Sequence, residues 1–261
     1  MSETTRPHSS NSPLTGAGYL LRGFGLLVRP GVRRYVAAPL LVNVLIFGVL
    51  LYLLWSQLGP IRIYVEGWLP DWLDFLAWAA LPVLVLLSLL VLFFGFSTAG
   101  NLIAAPFNSL LSEAVERRLG PRPGVAAGGA LSLLGEAARD VRSELRKAAY
   151  FLTRALPLLL LFLVPVVNLA APLLWLAFSA WMLAVEYADY PMANRGLRFA
   201  AQRQLLARRR FLVLGFGAAT SLALLVPGLN LAVIPAAVAG ATALWVEQLA
   251  PLAEPGETPN P

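Results

Sequence analysis

Long apolar stretches separated by short basic segments make up most of the chain. Residues 36–57 carry no charge and, at about 1.5 Å per residue, form a helix long enough to cross a bilayer. Residues 73–100 form a longer apolar stretch, and apolar positions at helical spacing continue beyond Pro106. The pattern therefore predicts two long transmembrane helices, 32–57 and 72–118. The second is expected to bend at Pro106 and to tilt or project from the membrane.

A short internal repeat divides the second half of the chain. The string L-V-P-x-x-N-L-A occurs at 163–170 and again at 225–232, each time within an apolar stretch too long for one helix. A turn in water would normally carry charged or several polar residues. These turns offer one asparagine each, so the repeat predicts two helical hairpins, 150–187 and 211–247, with turns inside the membrane or at its edge.

The hairpin turns contain Pro165 and Asn168 in the first copy and Pro227 and Asn230 in the second. We expect the two asparagines to hold the turns by side-chain hydrogen bonds. Each hairpin arm has about 15 to 19 residues, at or below the spanning length of about 20. Hairpins that penetrate half of the membrane are therefore favoured, and four short complete spans are the alternative.

Basic residues are concentrated in three regions, 1–34, 117–147 and 195–210. The connection 57–74 instead has one arginine and three acidic residues. By the positive-inside rule, the N-terminus and the two basic connections are cytoplasmic, and the connection 57–74 faces outward. This distribution predicts a multi-pass membrane protein whose N-terminus lies in the cytoplasm.

The remaining segments are amphipathic or polar. Periodic apolar positions predict an interfacial helix at 16–29 and cytoplasmic helices at 131–149 and 194–210. Residues 16–249 then form a single membrane domain between two tails, 1–15 and 250–261, that are expected to be disordered. No cleavable signal peptide is expected, because the first residues are polar and no apolar segment with a cleavage site follows them.

Composition limits the class of protein. Hydrophobic residues make up 58% of the 261 residues and charged residues 13%, a balance that a soluble domain could not solvate. The chain has no cysteine and one histidine, His8, so metal or thiol catalysis has almost no material. It lacks a phosphate-binding loop, and Lys147 is its only lysine. We therefore expect an all-α integral membrane protein that is not an enzyme, hydrolyses no ATP and uses no metal, cofactor or nucleic acid.

The segment Pro-Gly-Val-Arg-Arg at 30–34 has the chemistry of an anion site at the start of the first long helix. The first turn of a helix presents unpaired N–H groups and a partial positive charge. Gly31 lets an anion approach the backbone closely, and Arg33 and Arg34 can add charge-assisted hydrogen bonds. Alternatively, the two arginines anchor the helix end to lipid phosphates, and sequence physics alone favours this anchor.

Four further polar residues lie in or beside apolar segments, namely Asn101, Asn108, Glu113 and Arg154. The first three lie where the second long helix leaves the bilayer and are candidates for a vestibule or a contact between subunits. The alternative is a solvated helix face with an ordinary cap or kink. Arg154 lies one turn into an apolar run, where it either extends to the interface or belongs to the route of the anion.

Several blocks of sequence together resemble one known family. P-G-V-R-R at 30–34 leads into the first long helix, I-A-A-P-F-N-S-L-L-S-E at 103–113 follows the second, and E-Y-A-D-Y-P-M at 186–192 follows the first hairpin. With residues 236–247, these blocks resemble the CysZ sulfate permease family over nearly the whole chain. The resemblance implies uptake of sulfate, with sulfite as a second candidate, across the bacterial inner membrane for cysteine biosynthesis. It also implies two long transmembrane helices, two half-membrane hairpins and a homo-oligomer, either a dimer or an assembly of dimers.

In that family a Gly-Leu-Arg motif just before the first transmembrane helix binds sulfate. Gly31, Val32 and Arg33 occupy that place here, with Arg34 adjacent, and valine stands where the motif has leucine. The resemblance therefore implies that these four residues bind sulfate. The chemistry is suitable, because sulfate only accepts hydrogen bonds and this segment offers donors.

Two other functions are open to the sequence. One is a non-transporting scaffold that holds a partner or anionic membrane lipids on its basic cytoplasmic helices. The other is an intramembrane enzyme, which would need a cluster of His, Asp or Glu inside the apolar segments that the sequence lacks.

Overall fold

The computed structural model describes residues 11–68, 82–83, 85–90, 106–120 and 130–253. Within these ranges the chain is helical apart from turns and short connections, and none of the described residues lies in a strand. The helices are α1 Pro13–Leu27, α2 Arg33–Trp68, α3 106–119, α4 Ala130–Leu161, α5 Ala171–Ala193, α6 Phe199–Arg208, α7 Arg210–Leu224 and α8 Asn230–Leu244. The expected all-α class is therefore confirmed for the described residues.

Three described segments are long and apolar enough to cross a membrane, judged by length and composition. They are Arg33–Gln57, Ala171–Ala193 and Asn230–Leu252. The first corresponds to the predicted first transmembrane helix. The other two are the second arms of the predicted hairpins, and each has 23 residues. The expected arm length of about 15 to 19 residues is therefore wrong for both second arms, whereas α7 has 15 residues.

The second arms are longer because the chain stays helical beyond their predicted ends. In α5, Asp189 and Tyr190 find polar partners on other helices, so polar residues do not end the helix. After α8, the chain continues as a π-helical turn, Trp245–Leu249, and a 3-10 turn, Ala250–Leu252.

Two predicted boundaries are replaced by continuous helix. The predicted cytoplasmic helix 131–149 and the first arm that follows it form one helix, α4, because no glycine or proline occurs between residues 136 and 156. Likewise, α2 extends beyond its predicted end at residue 57 and continues to Trp68. Pro60 removes one N–H donor from α2 without ending it, as membrane helices commonly tolerate.

Parts of both tails are ordered, contrary to expectation. The side-chain oxygen of Asn11 accepts a hydrogen bond from the backbone N–H of Leu212 at 3.1 Å, and α1 follows directly. At the other end, the Leu252 carbonyl accepts a hydrogen bond from Arg208 at 2.6 Å. These contacts order each tail next to the helices, and the outer parts of both tails lie outside the described residues.

The second predicted long helix, 72–118, is described only in part. Residues 82–83, 85–90 and 106–119 are helical. Asn101 and the other residues of this prediction lie outside the described ranges. Pro106 is the first described residue of α3. The bend expected at Pro106 stays a prediction.

Both copies of the repeat form a turn in which the residue at the same position has a positive φ. Val166 has a φ of 71°, and Gly228, its counterpart in the second copy, has a φ of 81°. In the first turn the Val167 N–H donates to the Pro165 carbonyl at 2.9 Å, which closes a γ-turn. Positive φ is easy for glycine and strained for valine, so the first turn carries strain that the second does not.

The predicted role of the turn asparagines is wrong for the described contacts. Asn168 and Asn230 are exposed, and neither side chain forms a hydrogen bond with a described residue. Instead, the backbone N–H of Asn168 donates to the Val164 carbonyl at 3.0 Å, and Asn230 is the first residue of α8. Backbone hydrogen bonds at the helix ends therefore close the first turn without the asparagine side chain.

The core of the larger compact unit, Met1–Arg33 with Asn108–Pro261, is built around α8. Every residue from Ala236 to Leu244 is buried, as expected for a helix that is apolar on all sides. Glycines let the backbones approach closely. A Cβ at Gly23 would collide with the Ala236 carbonyl, and one at Gly217 with the Ala180 carbonyl. Small residues at helix contacts are typical of packing within membranes.

α1 lies on this core with Leu20 and Leu26 buried. Its charged side chain Arg22 forms a two-pronged ion pair with Glu247, with N–O distances of 2.5 Å to each carboxylate oxygen. The Tyr19 hydroxyl donates to the same carboxylate at 3.1 Å. The helix predicted to lie at the interface is therefore held against α7 and α8 by apolar contacts and against the π-helical turn after α8 by an ion pair.

We predict that Gly23→Ala destabilises the protein, because the added methyl group would meet the Ala236 carbonyl. Overpacking of this kind costs about 1–3 kcal/mol. Gly25→Ala on the same helix is the matched control, because beyond the nearby backbone of α1 no described residue lies within 4 Å of its Cβ position. It should be neutral or stabilising by up to about 1 kcal/mol through helix propensity. Thermal unfolding in detergent measures both, and equal midpoints would contradict the packing argument.

Candidate functional site

The connection between α1 and α2 contains the predicted anion-binding residues. Gly31 has a φ of 86°, and apart from its two chain neighbours no described residue has an atom within 4 Å of the position that a Cβ would occupy there. Arg33 and Arg34 are exposed, whereas Val32 is only 1% exposed. The Arg34 guanidinium lies 4.8 Å from the centre of the Tyr35 ring and donates to its hydroxyl at 2.9 Å. The segment thus presents an open glycine backbone and two exposed arginines.

Some of the backbone donors expected at this helix start are already used. The N–H groups of Val32 and Arg33 both donate to the Arg29 carbonyl, at 3.1 and 3.3 Å. A further guanidinium reaches the segment from α3, because Arg118 donates to the Pro30 carbonyl at 3.1 Å. An anion bound here would therefore depend more on guanidinium groups than the sequence suggested.

Two of the sequence blocks that carried the family resemblance meet in the structure. The Asn108 amide in α3 donates to the Tyr190 hydroxyl in α5 at 3.3 Å. One residue further, the Ser109 hydroxyl donates to the Asn194 side-chain oxygen at 2.7 Å. Asn108 thus lies at a contact between α3 and the end of α5.

Glu116 is the most buried charged side chain among the described ion pairs. Its side chain is 1% exposed, and its Oε1 accepts from Nε and Nη2 of Arg195 at 2.7 and 2.6 Å. Its other oxygen is buried and has no described partner. Glu116 lies in the segment from which the vestibule candidates were drawn, but its pairing with Arg195 was not predicted. The available signal was spacing, because Glu116 follows the buried residues Ser112 and Val115 on one face of α3.

Glu113, one of the predicted vestibule residues, lies partly in solvent. It pairs with Arg117 one helical turn later at 3.2 Å. Such surface pairs contribute little to stability, with a typical value below about 1 kcal/mol. The described contacts of Glu113 are those of a solvated helix face, and Asn101 lies outside the described residues.

Lys147, the only lysine, joins α4 to α5 and α6. Its buried ammonium contacts Asp189 and pairs with Glu144 at 2.7 Å, and Asp189 also accepts from Gln202 at 2.7 Å. Burial alone would lower the pKa of Lys147, but the charge of Asp189 and the hydrogen bonds to both carboxylates outweigh it and raise the pKa. Because the pKa is raised, the stabilisation is complete below the usual value of 10.5 and is lost only at higher pH.

Arg154 is exposed on α4 and lies against the ring of Tyr150, one turn earlier, at 3.6 Å from its centre. Among the described residues, no hydrogen bond or ion pair joins Arg154 to Asn108 or Glu113. The described candidates for a vestibule are therefore not joined to one another by described polar contacts.

These observations define a helical membrane protein whose charged side chains link helices next to long apolar segments. A family model described as sulfate transporter CysZ/etoposide-induced protein 2.4 matches residues 19–235. The chain belongs to this family, which confirms the resemblance found in the sequence.

Two relatives cover nearly the whole chain. A protein named sulfate transporter CysZ from Pectobacterium atrosepticum is 42% identical over 92% of this chain and 88% of its own length. Another with the same name, from Pseudomonas paraeruginosa, is 44% identical over 90% of this chain and 96% of its own length.

We predict that Arg195→Ala destabilises the protein strongly, because it leaves the buried carboxylate of Glu116 without a counter-charge. Breaking one side of a buried pair costs about 3–5 kcal/mol. Arg117→Ala removes the same side chain from the surface pair with Glu113 and should cost less than about 1 kcal/mol. Thermal unfolding of the two purified variants compares them, and a similar loss in both would show that burial of Glu116 is not the cause.

Proposed function

We propose that this chain carries sulfate across the bacterial inner membrane to supply cysteine biosynthesis, without hydrolysing ATP. The proposal rests on the match of residues 19–235 to the sulfate transporter CysZ/etoposide-induced protein 2.4 family. Two relatives that match about nine-tenths of the chain bear the name of a sulfate transporter, which supports the same substrate. Sulfite is a second candidate substrate, because it is also an oxyanion that accepts hydrogen bonds.

We propose Gly31, Val32, Arg33 and Arg34 as the segment that binds the ion. The open backbone at Gly31 lets an oxyanion approach, and the exposed arginines offer planar guanidinium groups that match its oxygens. The contact of Arg118 with the Pro30 carbonyl supports the proposal by adding positive charge to the segment.

We also propose that the two hairpins enter the membrane only part of the way, with the N-terminus and the basic segments in the cytoplasm. The 15 residues of α7 span about 22 Å, which is short for a hydrocarbon core of about 30 Å. The tips are apolar and exposed, with Leu163 at 78% and Leu225 at 75%. Exposed apolar tips suit lipid better than water. A homo-oligomer, either a dimer or an assembly of dimers, and bound lipids complete the proposal.

The first test is sulfate flux. Vesicles that contain the purified protein should take up radiolabelled sulfate down its gradient in the absence of ATP, at a rate above that of empty vesicles. Uptake no faster than in empty vesicles, in a preparation where a control carrier works, would refute transport.

Variants of Arg33 then test the binding segment. Arg33→Ala should weaken sulfate binding about ten-fold to a hundred-fold, because it removes a charge-assisted hydrogen bond. Arg33→Lys should recover only part of the loss, since an ammonium lacks the planar fork. Arg62→Ala, in the C-terminal part of α2, is the control and should bind normally. Unchanged affinity in Arg33→Ala, measured by calorimetry, would exclude this residue from the site.

Labelling of single cysteines tests the hairpins, and the natural absence of cysteine gives a clean background. Cysteines introduced at Pro165 and Pro227 should resist membrane-impermeant thiol reagents applied from the periplasmic side. A cysteine at an exposed position of the basic helix α6, such as Arg208, should react from the cytoplasmic side and serves as the control. Rapid labelling of either tip from the periplasm would instead support complete spans.

A further inference from the structure

Two arginines from different helices meet at one aromatic ring. The Arg154 guanidinium of α4 lies 3.6 Å from the centre of the Tyr150 ring, and that of Arg203 in α6 lies 5.1 Å from the same centre. Both distances are measured to the same ring centre, so the two guanidinium groups share one aromatic side chain. The face of an aromatic ring attracts a cation, but the ring carries no net charge and cannot neutralise two cations.

Two carboxylates of α4 and α5 are engaged by Lys147, and Glu186 of α5 forms no ion pair with either arginine among the described residues. Among the described residues, neither Arg154 nor Arg203 forms an ion pair, whereas Glu144 and Asp189 both pair with Lys147. An additional negative group between the two arginines would relieve their repulsion, because opposite charges at a few ångströms attract more strongly near a protein surface than in bulk water.

The ring on which the arginines lie is held in place. The Tyr150 hydroxyl accepts a hydrogen bond from the Trp181 indole at 3.0 Å, and the ring packs edge-on against Phe199 with centroids 5.5 Å apart. One nitrogen of Arg154 donates to the Tyr150 carbonyl at 3.3 Å, which restricts the guanidinium further. Its remaining N–H groups are available at an exposed position. The arrangement is thus ordered before any ligand binds, which lowers the entropic cost of binding.

The position along α4 suits a ligand at the membrane surface. The charged stretch of this helix ends at Lys147, and from Phe151, 38% exposed, exposed apolar side chains follow, including Leu152 at 52% and Leu156 at 57%. Tyr150 and Arg154 lie at this boundary. Aromatic and basic residues at such a boundary contact the level of lipid phosphates and of the water that carries free anions.

We propose that Arg154 and Arg203, held on the ring of Tyr150, form a second anion site for a tetrahedral oxyanion with at least one negative charge. Two guanidinium groups can donate paired hydrogen bonds to the oxygens of such a group. The oxyanion is supplied either by free sulfate or by the phosphodiester of an anionic lipid. The free-sulfate source rests on the proposed transport function, and the lipid source does not.

The experiment compares R154Q/R203Q with R146Q, which removes a positive charge from an exposed position on the same helix. In a first arm, binding of radiolabelled sulfate is measured with each set of substitutions added to the R33A protein in detergent. In a second arm, native mass spectrometry measures the affinity for phosphatidylglycerol relative to phosphatidylcholine, with each set added to the otherwise unchanged protein.

Free sulfate as the ligand predicts that R154Q/R203Q weakens the sulfate binding that remains in R33A at least ten-fold, while R146Q leaves it unchanged. A lipid ligand predicts instead an at least ten-fold loss of the preference for phosphatidylglycerol in the second arm. Failure of R33A to alter sulfate binding would affect only the proposed transport site. The second anion site is overturned if R154Q/R203Q matches R146Q in both arms.

Two further variants keep the test decisive if the double glutamine variant does not fold. R203Q alone removes a side chain for which no hydrogen bond is described, and R154K/R203K keeps both charges without the planar forks. Each should partly weaken sulfate binding if sulfate is the ligand, or partly reduce the preference for phosphatidylglycerol if a lipid is the ligand. Wild-type binding by both folded variants would refute the site.

Discussion

Close contact between helix backbones is the constraint on which the larger compact unit depends. Lipid is as apolar as a leucine side chain, so helices in a membrane gain little from burying apolar surface and must gain from packing and polar contacts. Gly23 brings α1 against α8, and Gly217 brings α7 against α5. Because α1 is seated in this way, the connection that follows it, including Gly31, begins from a fixed end.

Ion pairs between helices determine which helix faces pack against each other. Lys147 with Asp189 connects α4 to α5, and Glu116 with Arg195 connects α3 to the segment between α5 and α6. Each pair costs desolvation energy, so its net effect on stability is smaller than its Coulomb attraction. Any other register of these helices would leave a buried charge without its partner. We infer that the pairs select which helix faces lie together rather than supplying most of the stability.

Local features of the chain were predictable, and distant partners were not. Apolar length predicted the first span, and the repeated proline predicted both turns. Each of these features depends on residues that are neighbours in the sequence. Glu116 has the local appearance of a solvated side chain, yet Arg195, 79 residues later, pairs with it in a buried position. The sequence predicted a boundary at residue 150, where polar side chains give way to apolar ones. The helix α4 continues through this point because a change in side-chain polarity does not interrupt the backbone hydrogen bonds. No spacing rule could have brought Arg203 to the ring of Tyr150.

The left-handed residue at each hairpin tip makes two similar hairpins energetically unequal. Gly228 adopts its backbone conformation without steric cost, whereas Val166, 80% exposed at the tip, adopts nearly the same φ against its intrinsic preference. Strain of this kind costs on the order of 1–3 kcal/mol and persists only when the surrounding structure enforces it. The α4–α5 turn should therefore be the more dynamic of the two, opening locally while the α7–α8 turn stays closed. A sequence repeat has in this way produced one tip with an unstrained backbone and one tip with a strained backbone.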